Sequence, residues 1–216
     1  MEHVITALPF LLKATLITVF LAVVSMAIGL VLELFTALMR VSKNKILYNI
    51  ASVYVSAIRG TPLLVQIYLV YFGLPQIGIT LGPLLSGIIA LSINTGAYLS
   101  ESFRAAILSV DKGQMEASQS LGMTNGQAMR RIILPQSIRT AIPTIGNAYI
   151  GLIKDTSLVS VITVTELLYQ TTLIVAKTFK PLSLYMAAAV IYWVVCTFFV
   201  IILNRLEKRT SRHVKQ

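Results

Sequence analysis

Asn94, Tyr98 and Glu101 lie four and then three residues apart. On a helix that spacing places an amide, a phenol and a carboxylate on one face. The preceding residues, 60–100, carry no charge at all. An ionisable group in such surroundings is costly and marks a working position by default. Glu101 can accept a ligand ammonium, or it can pair with Arg104 one turn on or with a neighbouring helix. A second constellation is Lys154-Asp155-Thr156-Ser157. Asp155 can hold the ammonium of a basic side chain, or cap a helix that restarts after a break. The hydroxyls of Thr156 and Ser157 suit a ligand and suit backbone carbonyls equally. A third is Arg59-Gly60-Thr61-Pro62. Pro62 lacks a backbone donor and Gly60 weakens a helix, so the chain should kink or break here. Thr61 can satisfy the carbonyls that the break frees. Such a point can be a hinge or gate, or a fixed packing kink.

The elements that position these groups are legible from composition. Of 216 residues, 56% are hydrophobic and 12% charged, whereas soluble domains carry about 25% charged residues. Residues 14–32, 60–100 and 181–204 are free of charge. Apolar runs of roughly 18 residues or more can cross a bilayer. In lipid a helix satisfies its own backbone, and these runs do not alternate as barrel strands do. The expected fold is an all-α membrane protein, one domain over residues 1–216. It has five transmembrane helices at about 10–39, 48–73, 81–109, 136–155 and 181–204. Met1-Glu2-His3 lacks the basic cluster of a signal peptide, so the first run reads as a retained span. Neither half of 48–73 is long enough alone, which again implies one broken span. Ser25, Met26 and Gly29 read as close helix packing. Glu33 reads as near-interfacial. Tyr192 and Trp193 read as packing residues, and Cys196 as a small buried apolar residue.

Orientation follows from charge. Thirteen of the 18 basic residues fall in 40–47, in 104–139 or in the C-terminal tail. The positive-inside bias places these on the cytoplasmic side and the N-terminus outside. The tail Glu-Lys-Arg-Thr-Ser-Arg-His-Val-Lys-Gln then faces anionic lipid headgroups. Thr163-Val-Thr-Glu166 fits a capping box and predicts an external helix starting near 164.

The loop 110–135 has its own grammar. Asp111 with Gln114 predicts a helix over about 112–121, which Gly122 stops. Thr124 with Gln127 predicts a second helix over about 125–133, halted before Pro135. Met115, Leu121, Met129, Ile132 and Ile133 could line a contact face. Ala117, Ser118 and Gly122 keep the first turn thin enough for close approach.

The loop's spacing is more specific than its helix signals. Glu116-Ala117-Ser118, three residues, Gly122, nine residues and Ile132-Ile133-Leu134-Pro135 resemble the EAA loop of ABC importer permeases. Ser118 replaces the usual second alanine. The stretches RGTPLLVQ (59–66), TGAYLSESFR (95–104) and LIKDTSLVSVITVTELL (152–168) resemble the polar amino acid permeases of that group. The resemblance implies a type I ABC importer subunit in a bacterial plasma membrane. It implies a second permease chain, most simply an identical one, two ATPase subunits and an external solute-binding protein. The residues Glu116, Ala117, Ser118, Gly122, Ile132, Leu134 and Pro135 would then form a coupling helix that docks on the ATPase.

The sequence contains no GxxxxGK[ST] phosphate loop, no HExxH and no CxxC. Its two histidines, His3 and His213, are terminal. No cofactor or metal is expected in this chain, and Mg-ATP belongs to the partner ATPase. No catalytic residue is expected, and nucleic acid is not an expected partner. The expected function is import of a polar or cationic amino acid, with Glu101, Asp155, Asn94, Tyr98, Thr156 and Ser157 as candidate substrate ligands. Arg59, Gly60, Thr61 and Pro62 form the candidate gate. The competing reading is an ion-gradient-driven secondary transporter with Glu101 and Asp155 as ion carriers. The chain lacks visible inverted-repeat symmetry, which counts against it.

Overall fold

The computed structural model describes residues 2–211, with side-chain surroundings for 3–205. Arg212, His213 and Lys215 of the basic tail lie outside the described residues. Among those described, the fold is entirely helical. The α-helices are α1 (Glu2–Val41), α2 (Lys45–Arg59), α3 (Leu63–Tyr68), α4 (Pro83–Leu108), α5 (Lys112–Ser120), α6 (Asn125–Ala128), α7 (Leu134–Asp155), α8 (Leu167–Thr178) and α9 (Pro181–Ser211).

Three helices are long and apolar enough to cross a membrane: α1, α4 and α9. The number rises to five if each of two bent pairs counts as one span. The first bent pair turns by 105° between α2 and α3. The break expected in the span over 48–73 is present, as two rods that meet at this sharp angle. The cause is local. Gly60 ends α2, and a Cβ there would sit 2.8 Å from the Ser56 carbonyl oxygen. Pro62 opens α3 in an extended conformation. A π-turn (Leu69–Gly73) and a 3₁₀ turn (Leu74–Ile77) then close on Gly78 at φ 86°.

The second bent pair corrects the predicted stop at Pro135. Helical structure runs from Asn125 through a π-turn (Met129–Ile133) into α7 without a break. Proline lacks only a backbone donor and is tolerated where a helical segment begins. Pro135 sits in the first turn of α7, directly after the π-turn. Gln136 Nε2 donates to the Ile132 carbonyl at 3.0 Å, and Ser137 Oγ donates to the Ile133 carbonyl at 2.9 Å. A 3₁₀ stretch (Thr156–Ile162) follows α7. Thr163 then takes a left-handed φ of 65°, so the next helix starts at Leu167 and not near 164. Glu166 is its N-cap, and Thr163 takes no part.

α1 and α4 form the central pair. A Cβ on Gly29 would stand 3.0 Å from Thr95 Cγ2, and one on Gly96 would stand 2.7 Å from Leu32 Cβ. The expected close packing at Ser25, Met26 and Gly29 is present, all three being buried. The Leu21–Leu91–Ile153–Val159 core fills the middle of the bundle. A second core of Ala37, Phe103, Ile107 and Ile133 ties the loop to α1 and α4. Glu33 is 2% exposed with neither carboxylate oxygen hydrogen-bonded, so it sits inside the helix packing. Trp193 is 69% exposed and faces outward, contrary to its predicted packing role.

Candidate functional site

The break between α2 and α3, the middle of α4 and the end of α7 enclose a cavity of about 370 Å³. Thr61, Pro62, Asn94, Tyr98, Gly151 and Asp155 are among its lining residues. Three of the six candidate substrate ligands thus meet in one space, together with half of the candidate gate.

Each polar wall is held in place by identifiable bonds. Asn94 Nδ2 donates to Gln66 Oε1 at 3.0 Å. Gln66 Nε2 lies within hydrogen-bond distance of the carbonyls of Ile58 (2.8 Å) and Thr61 (3.1 Å) and of Thr61 Oγ1 (3.0 Å). Thr61 Oγ1 donates to the Ala57 carbonyl at 2.9 Å. Residues 58 and 61 have no continuing helix ahead of them to bond, so these side chains take over as donors. Tyr98 stacks under the Arg59 guanidinium, 5.4 Å from the ring centroid, and its hydroxyl lies 3.5 Å from the Arg59 carbonyl. A cation held over a ring face gains from the ring quadrupole.

Asp155 closes α7, and its side chain makes no capping bond to the 3₁₀ stretch that follows. Its carboxylate is in no ion pair among the described residues. The capping alternative is therefore not what this side chain does. Glu101 is different. It pairs with Arg40 of α1 and with Arg104, whose Nε donates at 3.2 Å. It does not line the cavity. Sharing a helix face with Asn94 and Tyr98 did not decide its partner, because two guanidiniums reach it first. Thr156 is fully buried and donates to the Ile153 carbonyl at 2.7 Å, and Ser157 donates to Lys154 at 2.7 Å. Both hydroxyls serve backbone, and neither lines the cavity.

Gln66 and Glu166 hold more of the structure together than their sequence patterns indicate. The signal for Gln66 was a long polar side chain four residues after the break's proline. Glu166 is fully buried. It accepts from the Leu168 and Tyr169 amides at 2.9 and 2.7 Å and from the Tyr192 hydroxyl at 2.8 Å. Thr18 of α1 lies 3.5 Å away and also accepts the Leu167 amide at 3.1 Å. One carboxylate thus fastens α8 to α1 and α9.

The loop forms a compact knob. Asp111 Oδ1 accepts from the Gly113 amide at 2.7 Å, without the reciprocal bond expected from Gln114. α5 ends in a Schellman motif on Gly122, φ 79°, with Met123 donating to Ser118 at 3.1 Å and Gly122 to Gln119 at 2.9 Å. Thr124 and Gln127 complete a capping box at 2.9 and 3.3 Å. The apolar residues point inward: Met115, Met129, Ile132 and Leu134 pack on the Phe103–Ile133 core. Leu121 alone of the predicted contact face is strongly exposed, at 83%. Ser118 is buried, while Glu116, Ala117, Gly122 and Pro135 are exposed.

Residues 25–212 match the family described as binding-protein-dependent transport system inner membrane component. The chain belongs to this family. Curated relatives agree. The permease is 45% identical to the L-cystine transport system permease protein TcyB of Bacillus subtilis, over 95% of this chain and 88% of that one. It is 38% identical to the glutamine transport system permease protein GlnP of Escherichia coli, over 94% of both. Among solved structures, an amino acid ABC transporter crystallised with histidines superposes with a TM-score of 0.88 at 40% identity, covering 95% of this chain and 96% of that one. The protein is thus the membrane-embedded permease subunit of an amino acid ABC importer, a non-enzymatic transport subunit whose ATPase is a separate chain.

Proposed function

We propose that this permease imports a polar or cationic amino acid whose ammonium group is held by Asp155, with Asn94 and Tyr98 lining the same cavity. The observation that carries this is the convergence of an uncommitted carboxylate with two anchored polar side chains beside a broken helix. A single carboxylate suits the α-ammonium that every amino acid has, and equally a basic side chain. The relatives' cystine and glutamine names fit the first use. In the assembly we propose, two copies of this chain form the pore and two ATPase subunits bind Mg-ATP. A solute-binding protein delivers substrate at the face carrying the N-terminus. Glu116, Ala117 and Gly122 present the outer surface of the loop to the ATPase. Arg59–Pro62 moves as the gate.

The test is reconstitution with the ATPase and binding protein in vesicles, followed by a screen of the amino acids for stimulated ATP hydrolysis and uptake. Asp155→Asn should lower uptake by tenfold or more, since a charge-assisted bond to an ammonium contributes about 1.5–3 kcal/mol. Normal uptake by Asp155→Asn would remove Asp155 from the site. Uptake that survives ATP depletion and collapses with an uncoupler would favour the ion-gradient mechanism.

A further inference from the structure

A second cavity, about 260 Å³, opens where α1 begins and α8 ends. His3, Thr6 and Phe10 line it from α1, and Gln170, Ile174 and Lys177 from α8. It shares no lining residue with the cavity at the helix break. Its chemistry is divided. Lys177 offers positive charge and His3 and the Gln170 amide offer donors, while Phe10 and Ile174 form an apolar wall.

Position narrows the ligand. Phe10 is 58% exposed and lies eight residues into α1, roughly 12 Å from its start. The cleft therefore runs from the helix ends down the flank of the bundle. Lys13 is exposed on the same stripe of α1, seven residues beyond Thr6. In a span, its stem lies along the apolar flank while the ammonium rises toward the boundary. Lys180 is exposed at the adjoining turn, between Phe179 at 83% and Leu182 at 79% exposure. Lysines here stand at the end of the bundle that the positive-inside bias depletes, so topology does not account for them. The volume is below the ~300 Å³ at which pockets for small organic molecules begin, which suits a headgroup whose chains lie outside.

We propose that this cleft binds the headgroup of an anionic phospholipid. Lys177 and His3 take the phosphate, Gln170 donates to it, and an acyl chain follows Phe10 and Ile174 along the flank. A docking lobe of a soluble protein would meet Lys177 and Lys180 but could not follow an apolar wall that descends beside α1.

The test uses the whole permease–ATPase complex, delipidated and titrated with phosphatidylglycerol or phosphatidylcholine, with bound lipid counted by native mass spectrometry. One basic residue contributes about fivefold in binding to an anionic surface. Lys177→Gln should lower retained phosphatidylglycerol by about that factor, Lys177→Arg should restore it, and phosphatidylcholine should bind weakly to all three. Equal phosphatidylglycerol retention by Lys177→Gln and the parent would overturn the proposal. Full displacement of the lipid by millimolar inorganic phosphate would also overturn it, since the cleft would then be a plain anion site. If Lys177→Gln instead weakens binding-protein-stimulated ATPase in discs of phosphatidylcholine alone, the cleft is a protein-docking surface and the lipid reading fails.

Discussion

Gln66→Leu is the sharpest probe of how the broken helix is held. Gln66 is 6% exposed and occupies the angle of the 105° bend. Leucine has similar bulk but no amide. The substitution strips the Ile58 and Thr61 carbonyls of a donor and the Asn94 amide of its acceptor. A buried polar group left unpaired costs about 1–3 kcal/mol. Thr61 and Asn94 both line the cavity and can recruit water, which leaves the Ile58 carbonyl fully orphaned. The greater apolar character of leucine returns about 1 kcal/mol. With about 0.5 kcal/mol for the bonds that water replaces, a net loss of about 0.5–2.5 kcal/mol follows, measured as a shift in unfolding by helix circular dichroism in detergent. Thr61→Ala removes only the bond to Ala57 and should cost about 1 kcal/mol. Gln66→Glu keeps an acceptor for Asn94 but supplies no donor when ionised, so it should be at least as unstable as Gln66→Leu. If Gln66→Leu unfolds within about 0.5 kcal/mol of the parent, a threshold at the low end for a hydrogen bond, the side chain does not carry the bend.

Gly96→Ala should loosen the α1–α4 pair by about 1–3 kcal/mol, because its methyl would fall 2.7 Å from Leu32 Cβ and 3.2 Å from the Gly29 carbonyl. Parent-like thermal unfolding would show that the helices separate freely. Glu166→Gln should destabilise by about 2–4 kcal/mol, since its amide nitrogen must face one of the backbone N–H groups that now donate to it. Tyr192→Phe, losing one bond to the same carboxylate, should cost less in the same assay. Gly122→Leu meets nothing within 4 Å but must adopt φ 79°, so it should cost about 1–2 kcal/mol and leave the fold intact. Its effect should appear as ATP hydrolysis uncoupled from uptake, and unchanged coupling would count against docking at this turn.

Much of this architecture is readable from local chemistry. The uncharged runs mark the membrane helices, and the loop's caps at Asp111, Gly122 and Thr124 appear where short-range hydrogen bonding requires them. Local rules failed where a distant partner or a neighbouring turn decided the outcome. Glu101 shares a face with Asn94 and Tyr98, yet Arg40, 61 residues away in sequence, claims its carboxylate. Pro135 carries a stop signal, yet the preceding π-turn and the side chains of Gln136 and Ser137 absorb it. Trp193 is aromatic in an apolar run, and periodicity in a uniformly greasy helix does not say which side meets protein. Gln66 matters through a bend whose angle no sequence pattern specifies.

The unbroken helical run from Asn125 to Asp155 has a mechanical consequence. It measures roughly 45 Å, with the capping box of the loop at one end and the Asp155 carboxylate at the other. Its flank rests on α9 at Gly146, where a Cβ would meet Leu203 at 3.2 Å. The same run is also buried in both cores of the bundle, through Ile133 and Ile153, so it is held along its length. The loop and Asp155 are thus joined by one continuous helical backbone, and any movement of one against the other must be taken up by that backbone or by the cores it packs on.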